Sequence, residues 1–492
     1  MMSEKRYKLH PVAAIINFVK GLKELIFPFI ILVVANGLNF SLNPLEEGFW
    51  SNIFPLAILS LISIVYLFSG IVKWWTFVYW FEEDELRVEY GLFIKKKRYI
   101  PFDRIQSFNY KEGIFHRIFG LVQVMVETAG NTNGKPEVVL TAITREAAND
   151  IEDITRKVKQ QETEHLEINE NTVLEEPTIQ NGKVIHKMNT KDLIILATTS
   201  NSIGVVLAGI VALLSQLGDL IPYEKLFEEV SALIKFSFVI VALSVIGALL
   251  LTWLVSVLIT FLNYYDFTVV EENDRLIITR GLLEKKRVTI PLNRIQAIKI
   301  VENPLRQWFG YAAVTVESAS GGFGDKDQKI TLFPLISKKE LFQPLQNLFP
   351  HFEWEQTLTK PPKIAKPFFY RIDFLWLIPL VAICSYFWYP YGLLSFLIVI
   401  PAILIGLWQY RTTGFAMNGQ QLTIVYRMLS RVTFVVEKKR IQALESKQSY
   451  FQKRRNIATF EATVMSGMLG ATARARNLKI EDVEEVMEWF EK

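Results

Sequence analysis

One segment of this chain occurs twice at a fixed offset and returns in part a third time, which restricts the fold to an array of like units. Gly91-Leu92-Phe93, Ile100-Pro101, Arg104-Ile105-Gln106, Phe119-Gly120 and Val126-Glu127 recur without a gap as Gly281-Leu282-Leu283, Ile290-Pro291, Arg294-Ile295-Gln296, Phe309-Gly310 and Val316-Glu317. The third copy keeps Lys439-Arg440-Ile441-Gln442 and aligns Ile457-Ala458-Thr459-Phe460 with Tyr311-Ala312-Ala313-Val314. Each copy follows a pair of long apolar runs.

Those runs point to a bilayer, whose core takes about 20 apolar residues of helix. Leu25 to Leu42, Ile53 to Val72, Leu193 to Leu217, Ile234 to Leu262, Phe374 to Tyr389 and Leu393 to Trp408 reach or approach that length, the fifth interrupted by Pro379. Helices buried in a large soluble protein are the alternative, but Phe238 to Leu262 carries no charge at all. The expectation is a mixed membrane protein with about six transmembrane helices in three hairpins, each followed by a small β-barrel with a C-terminal helix. The boundaries are an N-terminal arm 1–24, hairpin 25–74, repeat 75–160, acidic linker 161–192, hairpin 193–262, repeat 263–355, linker 356–373, hairpin 374–409 and repeat 410–492.

Basic residues set the expected orientation. The N-terminal arm carries Lys5, Arg6, Lys8, Lys20 and Lys23, whereas the turn Asn43 to Ser51 has Glu46 and Glu47 with no base, and Asp219 to Ser231 has one lysine among several acids. Both termini and all three repeats are therefore predicted to be cytoplasmic in a multi-pass protein of a bacterial cell membrane. No cleaved signal peptide is expected. The net charge of +4 is small for 492 residues and argues against nucleic acid as a partner. Cys384 is the single cysteine, and the histidines at 10, 116, 165, 186 and 351 are scattered, so no zinc site, cofactor or catalytic cluster is expected. The reading is a non-enzymatic protein.

The second copy shows the unit. Tyr265 to Val270 and Arg275 to Arg280 are β-rich runs around the turn formers Glu272-Asn273-Asp274. Lys286 to Leu292, Ile295 to Val301, Ala313 to Ser318 and Lys329 to Leu332 add strands, with a short helix Leu305 to Phe309 and a flexible Gly321-Gly322-Phe323-Gly324 connection. A closing amphipathic helix is marked by Leu341, Leu345, Leu348 and Phe349. Ile151, Ile154 and Val158 mark it in the first copy, and Val483, Val486, Met487 and Phe490 in the third. Antiparallel strands with one terminal helix suggest a small barrel.

Gly-Leu-Leu, Ile-Pro-Leu-x-Arg-Ile-Gln, Pro-Leu-x-x-x-Phe-Gly and Val-x-Val-Glu-Ser-Ala, as they stand from Gly281 to Ala319, resemble the bacterial membrane-flanked domain, a family with a pleckstrin-homology-like fold. Three copies with helix pairs, and His10-Pro11 in the arm, resemble multi-repeat members from Gram-positive bacteria. The third copy departs: it lacks the Ile-Pro step and has Arg455-Asn456 in place of Phe-Gly, within the basic cluster Lys453-Arg454-Arg455. The resemblance implies domains that bind membrane lipids or proteins, and a smaller single-repeat relative as a partner.

Several residues carry two readings. Arg104, Arg294 and Arg440, with Gln106, Gln296 and Gln442, belong to a structural motif in which Arg104 pairs with Glu127 and Arg294 with Glu317, or the arginines bind ligand. Lys95, Lys96, Lys97 and Arg98, and Lys285, Lys286 and Arg287, are solvated hairpins or contacts to anionic headgroups. Thr198 to Ser202 joins helices or lines a path, which keeps a transporter or lipid-handling component as the alternative function. Glu162 to Glu176 reads as linker.

Overall fold

A computed structural model describes residues 6–22, 49–82, 84–128, 136–167, 182–200, 238–318, 330–387, 389, 391–466 and 470–492. In the first repeat, strand β1 (Tyr7–Lys8), helix α1 (Val12–Leu22) and helix α2 (Phe49–Thr76) precede strands β2 (Val78–Glu82), β3 (Glu85–Tyr90), β4 (Lys96–Pro101) and β5 (Ile105–Glu112). Helix α3 (Ile114–Ile118), strands β6 (Leu121–Thr128) and β7 (Val138–Thr144) and helix α4 (Arg145–Glu167) complete it. The second repeat follows the same order with β8 (Lys183–Lys187), α5 (Thr190–Thr198), α6 (Phe238–Tyr264), β9 (Thr268–Glu272), β10 (Arg275–Arg280), β11 (Lys285–Pro291), β12 (Ile295–Glu302), α7 (Pro304–Trp308), β13 (Tyr311–Ser318), β14 (Ile330–Ser337) and α8 (Phe342–Leu348). The third has α9 (Arg371–Phe387), α10 (Val399–Thr412), β15 (Gly414–Asn418), β16 (Gln421–Arg427), β17 (Arg431–Glu437), β18 (Ile441–Lys447), α11 (Tyr450–Lys453), β19 (Ile457–Val464), β20 (Ala471–Lys479) and α12 (Ile480–Glu491).

Local chemistry explains these elements. Alternate residues of β3 and β10 are buried, Leu86 and Val88 in one and Leu276 and Ile278 in the other, the period of a half-covered strand. Asn273 and Asp274 form the β9–β10 turn with φ of 48° and 55°, the pair of positive values that a two-residue hairpin needs. The Arg-Ile-Gln motif is a joint. Its arginine ends a 3-10 turn (Phe102–Arg104, Leu292–Arg294, Lys438–Arg440), its isoleucine enters the core, and its glutamine sits where the register slips against the next strand. That bulge bends the chain out of one sheet into another.

The sheets are shared between repeats. Their orders are β1-β2-β3-β4, β7-β6-β5-β11-β10-β9-β8, β14-β13-β12-β17-β16-β15 and β18-β19-β20. Each repeat contributes two three-stranded sheets facing one core, and the second sheet of one repeat continues into the first sheet of the next through β5–β11 and β12–β17. The expected unit of antiparallel strands with a terminal helix is present in each repeat, and among the described residues its sheets are joined to those of its neighbours. The terminal helices cover the cores through Ile151 and Val158, Leu345 and Leu348, and Val483 and Val486.

The expectation of about six transmembrane helices in three hairpins is corrected. Among the described residues, two helical stretches are long and apolar enough to cross a bilayer, Ile246–Tyr264 and Ser395–Thr412. Val12–Leu22, Ser60–Thr76 and Leu377–Phe387 are apolar but shorter. In the third pair the first helix falls short: α9 has 17 residues with Pro379 inside, about 25 Å at 1.5 Å per residue, while the second supplies Ser395–Thr412 and begins as a 3-10 helix over Tyr391–Ile398. Leu25 to Leu42 and the run beyond Ser200 lie outside the described residues.

Gly120 and Gly310 follow the short helices with φ of 65° and 74°, and Asn456 takes the same place in the third repeat at 50°. An added Cβ at either glycine meets nothing within 4 Å, so the backbone conformation alone selects them. Asparagine tolerates that region better than other non-glycine residues. Gly310→Asn should therefore cost less stability than Gly310→Val, with the valine variant losing about 1–2 kcal/mol in thermal or denaturant unfolding.

Candidate functional site

The motif arginines do not meet the motif glutamates. Glu127, 8% exposed, accepts hydrogen bonds from Ser107 Oγ at 3.2 Å and Asn109 Nδ2 at 2.8 Å, while Arg104 lies exposed at the end of its 3-10 turn. Glu317 pairs with Lys299 at 2.6 Å and accepts a bond from Ser466 of the third repeat. Arg440 donates to the Asn293 carbonyl at 2.9 Å, and Glu461 binds Lys447 and Arg474, both at 3.0 Å. In place of the predicted Arg104–Glu127 and Arg294–Glu317 pairs, Glu127 is held by Ser107 and Asn109, and Glu317 by Lys299 and Ser466. Burial pushes the Glu127 carboxyl up to about 7, the hydrogen bonds from Ser107 and Asn109 offsetting only part of that rise.

Two basic runs that look alike in sequence have different surroundings. Lys95, Lys96 and Lys97 are exposed along β4, with Arg98 bound to the carboxylate and carbonyl of Glu137. Lys285, Lys286 and Arg287 instead lie in the β5–β11 junction. Lys286 pairs with Glu284 at 3.3 Å, as Lys111 does at 2.7 Å, and Arg287 stacks on Tyr110 at 5.5 Å. Lys453, Arg454 and Arg455 are exposed at the end of α11, with Arg454 over the Tyr450 ring.

The densest unexplained chemistry lies where α5 and α6 meet the second repeat. A cavity of about 310 Å³ there is lined by Ser200, Thr260, Asn263, Asn303, Thr315 and Thr331, by several apolar side chains, and by Arg306 of α7. Arg306 is 7% exposed and hydrogen-bonds only neutral oxygens among the described residues, Thr199 Oγ1 and the Pro334 carbonyl, each at 3.3 Å. Burial depresses its pKa from the ordinary arginine value. Ser200 Oγ lies 3.2 Å from Thr260 Oγ1, so the described part of the Thr198 to Ser202 patch both joins the two helices and holds the arginine. Asn201 and Ser202 lie outside the described residues.

The other repeats place neutral groups at this point. His116 occupies it in the first, its Nε2 2.8 Å from the Thr141 carbonyl, and burial lowers its pKa so that it stays neutral. Gln452 occupies it in the third and donates to Asn477 Oδ1 at 2.7 Å. Sequence inspection passed over Arg306 because it stands alone in a Pro-Leu-x-x-x-Phe-Gly stretch. Its position, third in the stretch, holds His116, Arg306 and Gln452 in the three copies, but neighbouring positions vary as much and give it no distinguishing signal. A larger depression of about 630 Å³ is lined by His351 and Glu353, whose polar groups have internal partners, His351 with Glu437 and Glu353 N–H with Gln421.

A second surface surrounds the exits of the apolar helices. Gly91 N–H donates to Thr76 Oγ1 at 3.2 Å, Leu282 N–H to the Leu262 carbonyl at 2.9 Å, and Gln409 Nε2 to the Met428 carbonyl at 3.1 Å. These bonds hold the turn after each repeat's first hairpin against the end of its preceding helix. The turns and the nearby short helices leave large apolar side chains uncovered: Phe93 at 97% and Trp308 at 83%, with Ile94, Phe309, Met428 and Phe451 also exposed.

Comparison with known proteins agrees with the repeat pattern. A family model described as a bacterial PH domain matches residues 27–159, 193–348 and 373–492. The UPF0699 transmembrane protein YdbT of Bacillus subtilis (strain 168) is 35% identical over 500 residues, covering 100% of this chain and 99% of that relative. No solved structure matches.

Glu127 gives the array a pH signature. A carboxyl raised from 4.5 to about 7 contributes stability that is complete below pH 4.5 and is lost as pH rises through about 7. Glu127→Gln keeps the neutral form at every pH. The variant-minus-wild-type difference in melting temperature should rise from its low-pH value and level off above pH 7, and a flat difference would contradict the assignment.

Proposed function

The chain belongs to the bacterial PH domain family and is a membrane protein with three copies of that domain, and from this premise we propose that it is a non-enzymatic binding protein of the inner leaflet whose second repeat holds an anionic lipid headgroup. Arg306 carries the proposal. An ion buried without a counter-charge costs several kcal/mol, and its hydrogen bonds to neutral oxygens offset only part of that. A phosphate in the adjoining cavity would supply the missing charge and use the guanidinium's remaining donors. The location suits a lipid, since Asn263 and Tyr264 end the Ile246–Tyr264 stretch and face the same cavity.

The exposed apolar turns support an orientation in which the domains rest on the bilayer. Side chains such as Phe93 and Trp308, held beside helix exits, fall at the depth of the headgroup and acyl boundary, where aromatic rings are favoured. Lys95 to Lys97 and Lys453 to Arg455 add attraction to acidic lipid, worth about 1 kcal/mol per residue near the surface. The basic N-terminal arm favours a cytoplasmic location for the repeats.

Two measurements test this reading. Delipidated protein in detergent should gain thermal stability from phosphatidylglycerol but not from phosphatidylcholine or inorganic phosphate. A ligand present at about 100 times its dissociation constant contributes about 2.7 kcal/mol. Arg306→Met should abolish the lipid response while leaving the lipid-free protein at least as stable, because a buried unpaired charge has been removed. A loss of stability on Arg306→Met without any lipid response in the wild type would assign the arginine a purely structural role.

For orientation, Asn273→Cys in the exposed β9–β10 turn, on a Cys384→Ala background, should resist a membrane-impermeant thiol reagent in intact cells. It should react after permeabilisation; labelling of intact cells would place the repeats outside.

A further inference from the structure

The two internal junctions are built in one register. Counted from the arginine of each Arg-Ile-Gln motif, Glu112 and Glu302 occupy the same position, and so do Lys285 and Arg431. The structure pairs Glu112 with Lys285 across β5–β11 and Glu302 with Arg431 across β12–β17. Further bonds reinforce each junction. Arg117 donates to the Leu282 carbonyl at 2.7 Å in one, and Arg427 to Gln307 at 2.6 Å in the other. The array therefore has a head-to-tail rule that does not depend on the identity of the repeat.

That rule leaves one unused edge at each end. Among the described residues β4 pairs only with β3, and β18 only with β19, yet β4 is the counterpart of β11 and β17, and β18 of β5 and β12. We propose that β18 of one chain adds to β4 of a second copy in the same antiparallel register, joining chains head to tail in the plane of the membrane. The register brings Ser446 opposite Lys97, Glu445 opposite Arg98 and Leu444 opposite Tyr99.

Charge across the pairing is mixed: Glu445 meets Arg98, while the same register sets Lys447 opposite Lys96 and Gln448 opposite Lys95. β4 opens with Lys96-Lys97-Arg98, whereas β18 is packed against α12, which holds six acidic residues and no basic one. The lysines on β4 discourage unspecific strand addition, so that the shared register rather than charge alone selects β18. The contact is heterologous, with different surfaces meeting, so it builds rings or chains rather than a two-fold dimer. It does not rest on the lipid site.

The test uses full-length protein in native membranes on a Cys384→Ala background. Lys97→Cys and Ser446→Cys, both at exposed positions, are placed in separately tagged chains and co-expressed. Oxidation should link the two tags, because directly opposed residues lie on one face at bonding distance. Lys97→Cys with Glu445→Cys should lose the link, since neighbouring residues of a strand face opposite sides. Neither variant should link to itself.

Absence of the Lys97–Ser446 link, equal linking of the off-face pair, or capture of a different protein at the β4 edge would each overturn self-pairing. Crosslinking that persists unchanged in Arg306→Met separates this result from the lipid reading.

Discussion

The architecture depends on backbone hydrogen bonds that cross from one repeat to the next. A three-stranded sheet exposes two edges of unpaired N–H and C=O groups. Joining the second sheet of one repeat to the first sheet of its neighbour removes two edges at each junction. Each bond contributes only about 1 kcal/mol net, but leaving the groups buried and unpaired would cost more. Residues far apart in sequence thereby share one core: Val435 of β17 packs with the second repeat's residues, and Ala297 of β12 with the third's. The repeats cannot be cut apart without opening a sheet.

Much of the repeat could be read in the sequence, and the reasons are local. Asn273-Asp274 fixed a hairpin, alternating Leu276 and Ile278 fixed a strand face, and Ile151, Leu345 and Val483 fixed the terminal helices, because each signal acts over a few residues. Sheet sharing has no such signal. The β5 strand looks the same whether β11 belongs to its own repeat or to the next, since an edge carries its information in the backbone. The same limit explains why Lys285 to Arg287 resembled a solvated turn until Glu112, Tyr110 and Glu284 were found around them.

The motif arginine shows a related failure. Equal spacing of Arg104 to Glu127 and Arg294 to Glu317 suggested a pair, but equal spacing shows only that the strands are equivalent. The bulge at the glutamine turns the arginine away and presents the next inward residues, Ser107 and Asn109 in one copy and Lys299 in another, to the glutamate. Hydropathy misled in the same manner for the first helix of the third pair, which at 17 residues with Pro379 inside falls short of what composition suggested.

Equivalent positions with unequal chemistry locate specialisation within the array. His116, Arg306 and Gln452 occupy one place at the foot of the short helix, and the first and third are satisfied by nearby oxygens while neutral. Only the middle repeat exchanges a satisfied neutral group for a buried cation, and there Thr199, just beyond α5, accepts its bond beside a cavity that Ser200 also lines. Had stability alone been favoured, a neutral donor as in the flanking repeats would have met the same carbonyl at lower desolvation cost. The cation is therefore the feature on which the proposed headgroup site rests, and it lies in the repeat that shares a sheet with a neighbour on both sides.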